Sequence, residues 1–264
     1  MRIIKKTLIL LVSILVVVYL LAAAGLYFNQ EALLFPAGEV PIDTDYRFSE
    51  PVAEVWMERD DACLNALWIE PDSGEEVVLF FHGNGEIVPR TLGFALDLKA
   101  KGFGVLAPDY RGFGKSRGEL SQEAMYADAL AWYDRLATHW PEANIRLYGH
   151  SLGTGFATYV AAHRKPSRLL LGAPYSAIAD VAKNQYPFMP IDLLLEYPFP
   201  SQDYLKEVSC PVSIIHGDAD RIIPVSEGKE MASILPASQV YYYEIPHGNH
   251  GVMNYPEFWE WFLR

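Results

Sequence analysis

The sequence predicts an α/β domain, built on a mostly parallel, twisted eight-stranded sheet with helices on both faces and preceded by one transmembrane helix. Three observations carry this reading. Apolar Val/Ile/Leu/Phe runs bounded by turn residues alternate with longer segments of helical periodicity, the pattern of strands covered on both faces. The first two strand-like runs follow each other with no helix between them, so they should form an antiparallel edge. Near the N-terminus stands a run of 22 residues without a charge (7–28). With 264 residues, 51% hydrophobic, the chain can bury a substantial core and is not disordered. Its 21 basic and 33 acidic side chains, net −12, argue against a nucleic-acid partner, because phosphate binding needs a basic face.

The run at 7–28 is long enough to cross a hydrocarbon core of about 30 Å at about 1.5 Å per residue. Arg2, Lys5 and Lys6 precede it. The positive flank should stay cytoplasmic, giving a short cytoplasmic tail (1–6), a signal anchor (7–28) and a domain (29–264) on the extracytoplasmic side of a cell membrane. A cleaved signal peptide is the alternative, with Ala22-x-Ala24 as the processing site. The apolar run continues past that site through Leu26 and Phe28, which favours the anchor. Residues 29–264 carry 18 basic and 33 acidic side chains, a net charge of −15 that argues against adsorption to anionic headgroups.

Strands are expected at 52–57, 64–68, 76–81, 103–107, 145–148, 168–171, 212–215 and 240–245. Helices are expected at 89–101, 121–139, 152–164, 225–235 and 255–263, with Ser121 as a sound helix start. The stretch 183–203 breaks the alternation with four prolines and a Leu-Leu-Leu core. It reads either as a buried loop with a short helix or as a small cap over an apolar pocket. Cys63 and Cys210 are too few for a disulfide framework and are expected as two buried thiols rather than one bridge. No Cys/His spacing points to a metal.

The sharpest local signal is Gly149-His150-Ser151-Leu152-Gly153, between an expected strand and an expected helix. A serine in G-x-S-x-G at such a turn is forced into a strained, exposed position, and the flanking glycines prevent collisions across it. Serine needs a base to become nucleophilic. Of the seven histidines, His247 and His250 lie just after the last strand, where α/β sites gather, and His250 is the choice, with His247 as the fallback. His82, His216, His150, His139 and His163 read as structural or surface residues. The base needs an orienting carboxylate, and Asp218 and Asp220 follow the strand at 212–215. Phe81-His82-Gly83-Asn84-Gly85 offers a glycine-rich loop, where the Asn84 N–H with that of Leu152 would make an oxyanion hole.

These motifs together resemble the α/β-hydrolases, and specifically the membrane-anchored serine hydrolases grouped with serine aminopeptidase-like esterases. The resemblance runs from Gln30-Glu31-Ala32-Leu33-Leu34-Phe35-Pro36 through the 81–85 loop, the segment 109–116 (DYRGFGKS), the 149–153 motif and 210–220 to the final histidine loop. It implies an α/β-hydrolase fold with a short cap, and a triad of Ser151, Asp220 and His250. It favours Asp220 over Asp218 and His250 over His247. It also implies a structural rather than catalytic role for 109–116. Glu86 departs from the small residue or asparagine common at its position, adding a carboxylate beside the oxyanion loop.

The expected chemistry is acyl transfer from a carboxylic ester or thioester without metal or organic cofactor, on small-molecule or lipid-like acyl substrates. An amidase, or a non-catalytic membrane-tethered binding protein on the same fold, are the alternatives. Protein partners are not written in the sequence.

Overall fold

The computed structural model describes residues 2–49, 52–59, 61–71 and 76–264; Met1 of the expected tail lies outside the described residues. The chain opens with α1 (Arg2–Leu34), one continuous helix that extends beyond both ends of the expected span. There follow β1 (Val52–Arg59), β2 (Ala62–Ile69), β3 (Val77–Phe81), α2 (Val88–Ala100), β4 (Gly104–Pro108), β5 (Arg117–Gly118) and α3 (Gln122–Ala137). Next come β6 (Ile145–His150), α4 (Gly153–His163) and β7 (Arg168–Gly172). A cap of three short helices succeeds them: α5 (Ile178–Gln185), α6 (Ile191–Leu194) and α7 (Ser201–Leu205). The chain closes with β8 (Val212–Gly217), α8 (Val225–Ile234), β9 (Val240–Ile245) and α9 (Pro256–Phe262).

The sheet runs β1-β2-β4-β3-β6-β7-β8-β9, and the two-residue β5 pairs β2 off this path. The eight expected strands therefore form the sheet; β5 was not foreseen, because two residues carry no periodicity. β1 and β2 are antiparallel, as is β2 with β4, and every pairing from β4 to β9 is parallel. Alternate residues of β3 enter opposite cores, which is why the strand reads as an unbroken apolar run. Val77, Leu79 and Phe81 join α3 and α4 on one face. Val78 and Phe80 join α2 and α9 on the other. Ser121 caps α3 through an Oγ that accepts the Ala124 N–H at 3.1 Å.

The segment expected as an irregular insertion is more ordered than foreseen and begins earlier, at Ile178. Its prolines punctuate the helices rather than abolish them, since Pro190 and Pro200 stand just ahead of α6 and α7. Both cysteines are free thiols. Cys210 is buried, but Cys63 is only half-buried, against expectation: it lies near the β1–β2 turn, where its Sγ donates to Glu58 Oε1 at 3.1 Å.

The helix α1 is long and apolar enough to cross a membrane, with an 18-residue stretch of mean hydropathy 2.9, and residues 3–22 are all exposed. Its C-terminal part is fastened to the cap. Gln30 is buried; its side chain accepts the Glu196 N–H at 2.8 Å and donates to the Leu194 carbonyl at 3.3 Å. The Tyr27 hydroxyl donates to Glu196 at 2.9 Å, and the Tyr197 hydroxyl to Glu31 at 2.6 Å. Just past the helix, Phe35 is buried against Phe113 and Tyr197.

Candidate active site

The loops after β3, β6, β8 and β9 meet at the carboxyl end of the sheet. The chain winds one way from β3 to β4 and then crosses back to β6, so β3 and β6 flank the point where strand order reverses, the crevice where α/β sheets bind ligands. Ser151 follows β6 directly, with φ 52° in the left-handed region that a non-glycine residue adopts at a cost. The turn is tight enough that a Cβ on Gly149 would stand 2.5 Å from the Gly153 carbonyl oxygen. The elbow is tied to the next strand by the Ser151 N–H, which donates to Gly172 at 2.9 Å, and to α4 by the Thr154 N–H, which donates to the Ser151 carbonyl at 2.9 Å.

Ser151 Oγ lies 2.8 Å from His250 Nε2, and His250 Nδ1 lies 2.7 Å from Asp220 Oδ2. The other Asp220 oxygen accepts the N–H groups of Ile222 at 2.8 Å and Ile223 at 3.0 Å. Burial alone would raise the Asp220 carboxyl. Hydrogen bonding from His216, 3.4 Å away at Nε2, and from His250 outweighs it and holds the group below the usual carboxylate range. The β8 and β9 loops can pack this closely because Gly217 has no side chain; a Cβ there would stand 2.3 Å from the Gly248 carbonyl oxygen. Asp218 and His247, the neighbours considered in the sequence, are exposed and outside this chain of hydrogen bonds.

Asn84 and Leu152 both line the cleft over Ser151. Among the described residues neither backbone N–H has a hydrogen-bond acceptor. Leu152 also stands at the N-terminal end of α4, where the helix dipole favours negative charge. The Glu86 carboxylate accepts the Gly83 N–H at 3.1 Å and so braces the turn below Asn84. The cleft, about 580 Å³, is lined mostly by apolar side chains. One wall is the cap, with Ile178, Val181 and Leu194. The other is α1 itself, through Leu26, Leu33 and Leu34. Among the described residues no group of three or more His, Cys, Asp or Glu side chains is arranged to hold a metal ion.

Two contributors go beyond what the sequence specified, the first a histidine it read only as structural or surface. His150 lies beside His250 with ring centres 5.2 Å apart and the rings tilted by 45°, and its Nε2 donates to the His250 carbonyl at 3.0 Å, fixing the loop that carries the base. Burial, then the neighbouring His250, lower its pKa, so it stays neutral and suited to that hydrogen bond. Its place inside G-H-S was the available signal. The second is the wall supplied by α1, for which the apolar run gave no signal beyond its length.

The segment 109–116 is structural as foreseen. Asp109 Oδ1 accepts the Val88 N–H at 2.8 Å, and the Tyr110 hydroxyl donates to the His82 carbonyl at 2.7 Å. Arg111, 2% exposed, bridges Asp128 and Asp61, each at 2.5 Å.

Comparison with known proteins agrees with this architecture. The family model described as "Serine aminopeptidase, S33" matches residues 72–195, a range that contains Asn84, Ser151 and Leu152 but neither Asp220 nor His250. An uncharacterized protein of Mycobacterium tuberculosis is 28% identical over 235 residues, covering 86% of this chain and 84% of that one. The lysophosphatidylserine lipase ABHD12 of Danio rerio is 29% identical over 205 residues, covering 69% of this chain; the match spans only 54% of that lipase's length. Among solved structures, the Pyrococcus furiosus esterase Pf2001 superposes with a TM-score of 0.64 at 22% identity, over 83% of this chain and 91% of that one, a likeness of fold. Its sheet order and its strained elbow after β6, together with these likenesses, give the chain an α/β-hydrolase fold.

Proposed function

We propose that the protein is a serine hydrolase that cleaves carboxylic ester or thioester bonds of amphiphilic, acyl-chain substrates through an acyl-enzyme. The observation that carries this is the hydrogen-bonded series Ser151 Oγ, His250, Asp220, at 2.8 Å and 2.7 Å, opening into an apolar cleft. His250 Nε2 takes the Ser151 proton as Oγ attacks the carbonyl carbon. The N–H groups of Asn84 and Leu152 receive the oxyanion. His250, now protonated, passes that proton to the leaving alcohol or thiol, and the Asp220 carboxylate holds the imidazole in the required tautomer. Water, deprotonated by the same histidine, then releases the acid and restores Ser151. Lipase and esterase relatives support an acyl or lipid-like substrate.

The domain architecture under this reading is a short tail (1–6), a membrane anchor (7–28) and a catalytic domain with its cap (29–264), the tail cytoplasmic and the domain across the membrane. An amide substrate is the second reading, favoured by the peptidase description of the matching family model and compatible with the same groups. The test is labelling of the full chain and of Ser151→Ala by a fluorophosphonate, followed by turnover of matched esters, thioesters and amides. Labelling and ester turnover that vanish in Ser151→Ala are expected. Wild-type-like ester turnover in that variant would falsify the assignment, and amide turnover above ester turnover would select the second reading.

A further inference from the structure

The point where the cap meets α1 is lower on the helix than a simple tether would place it. The Tyr19 hydroxyl donates to the Phe188 carbonyl at 3.0 Å. Counted from Thr7, the helix reaches Tyr19 after about 18 Å, well short of the roughly 30 Å of hydrocarbon it must cross. The remaining distance, about 12 Å, ends near Tyr27, where Tyr27, Asn29, Gln30 and Glu31 begin the polar end of the helix. A helix that spans therefore carries the Phe188 segment below the surface of the leaflet.

The surface of that segment matches such a position. Phe188 is 86% exposed and Leu193 84%, unusual for large apolar side chains on a folded domain, and they project from the cap next to an apolar helix that is itself bare. Irregular backbone is tolerated at membrane depth only where its polar groups are satisfied within the protein. Here α1 provides the partners: Tyr19 for the Phe188 carbonyl, and Gln30 for the Leu194 carbonyl and the Glu196 N–H. Of the nearby charged groups, Asp192 pairs with Lys183 at 2.8 Å, and the Glu196 carboxylate accepts the Tyr27 hydroxyl at 2.9 Å. Leu26, at the boundary level of the helix, lines the cleft that ends at Ser151.

We propose that the cap is immersed in the adjoining lipid leaflet and that α1 is a working wall of the acyl cleft, so that an acyl amphiphile passes from that leaflet to Ser151 without entering water. This rests on the acyl-transfer reading above for its substrate, while the immersion itself does not.

The experiment uses the full chain in phosphatidylcholine vesicles. Phe188→Cys in a Cys63→Ser background, labelled with an environment-sensitive fluorophore, is exposed to doxyl-labelled phosphatidylcholine or to aqueous iodide. Quenching by the lipid-borne group and protection from iodide is expected; quenching by iodide with none from the lipid overturns immersion. In parallel, Phe188→Asp combined with Leu193→Asp, neither of which lines the cleft, is assayed on a long-chain ester held in the vesicle and on a soluble butyrate ester. Loss of about tenfold or more on the vesicle ester, with the soluble ester within about twofold, is expected. Equal effects on both substrates overturn delivery from the leaflet. Leu33→Trp, on the helix wall, should shift preference toward shorter chains, and an unchanged chain-length profile overturns the wall. Should Ser151→Ala hydrolyse both esters normally, the acyl-transfer reading fails while the quenching result still decides immersion.

Discussion

Gly153 lies against β3 so closely that a Cβ on it would stand 1.9 Å from the carbonyl oxygen of Phe81. The contact joins the first turn of α4 to the strand end that launches the 82–86 loop, and so sets Leu152 and Asn84 on the same cleft. Backbone cannot yield as a flexible side chain can. Gly153→Ala is therefore expected to cost about 3 kcal/mol or more, or to prevent folding, as read from thermal unfolding of the full chain in detergent. A melting temperature within a degree or two of wild type would refute the packing described.

Asp220 orients His250, so Asp220→Asn should leave substrate binding nearly intact and lower kcat by on the order of 10³ to 10⁴. The same residue sets a pH dependence of stability. Its folded-state pKa is lowered, so its contribution is complete above the unfolded value of about 4 and is lost as pH falls below it. The variant should accordingly lose less stability than wild type between about pH 5 and pH 3, measured by denaturant titration. A parallel acid limb in the two proteins would contradict this.

Val181 faces the cleft from α5. Replacing it with tryptophan fills the volume an extended acyl chain would use and leaves the elbow untouched. The ratio of kcat/KM for dodecanoyl over butanoyl esters should drop by about tenfold or more. If the ratio does not move, the acyl chain lies elsewhere.

Arg111 is almost fully buried and holds two carboxylates, Asp128 and Asp61. Removing it by Arg111→Ala leaves the buried Asp128 with only the more distant Arg59, 3.6 Å away, an expected loss of about 3 kcal/mol. The double variant Arg111→Ala with Asp128→Ala should recover part of that loss, because the stranded charge is gone. Additive destabilisation in the double variant would show that the pair acts by packing alone.

The inner strands were legible because a strand buried on both faces leaves an unbroken apolar run, and the half-buried edge strand 240–245 was placed to the residue. The helices fell within a residue or two, since Pro89, Ser121 and Pro256 mark their starts. The elbow was legible because only glycine fits beside Ser151. Other features were not: β5 is too short to carry a period, and the order of the cap helices depends on what they pack against. Cys63 looked buried because its neighbours are apolar, but alternation sends its side chain to the sheet face opposite Ala62 and Leu64, next to its register partner Glu58.

By itself, then, the sequence determined the fold class, the apolar N-terminal helix and the candidate groups after each strand, all of which are local consequences of periodicity and turn chemistry. The tertiary structure decided which of those groups meet. Asp218 and Asp220 are both reasonable turn residues, and only the close passage of Gly217 by Gly248 brings Asp220 to His250 while leaving Asp218 in solvent. It likewise made α1 part of the cleft, because the hydrogen bonds of Gln30 and Tyr19 join residues more than 160 positions apart, a distance over which no sequence period extends.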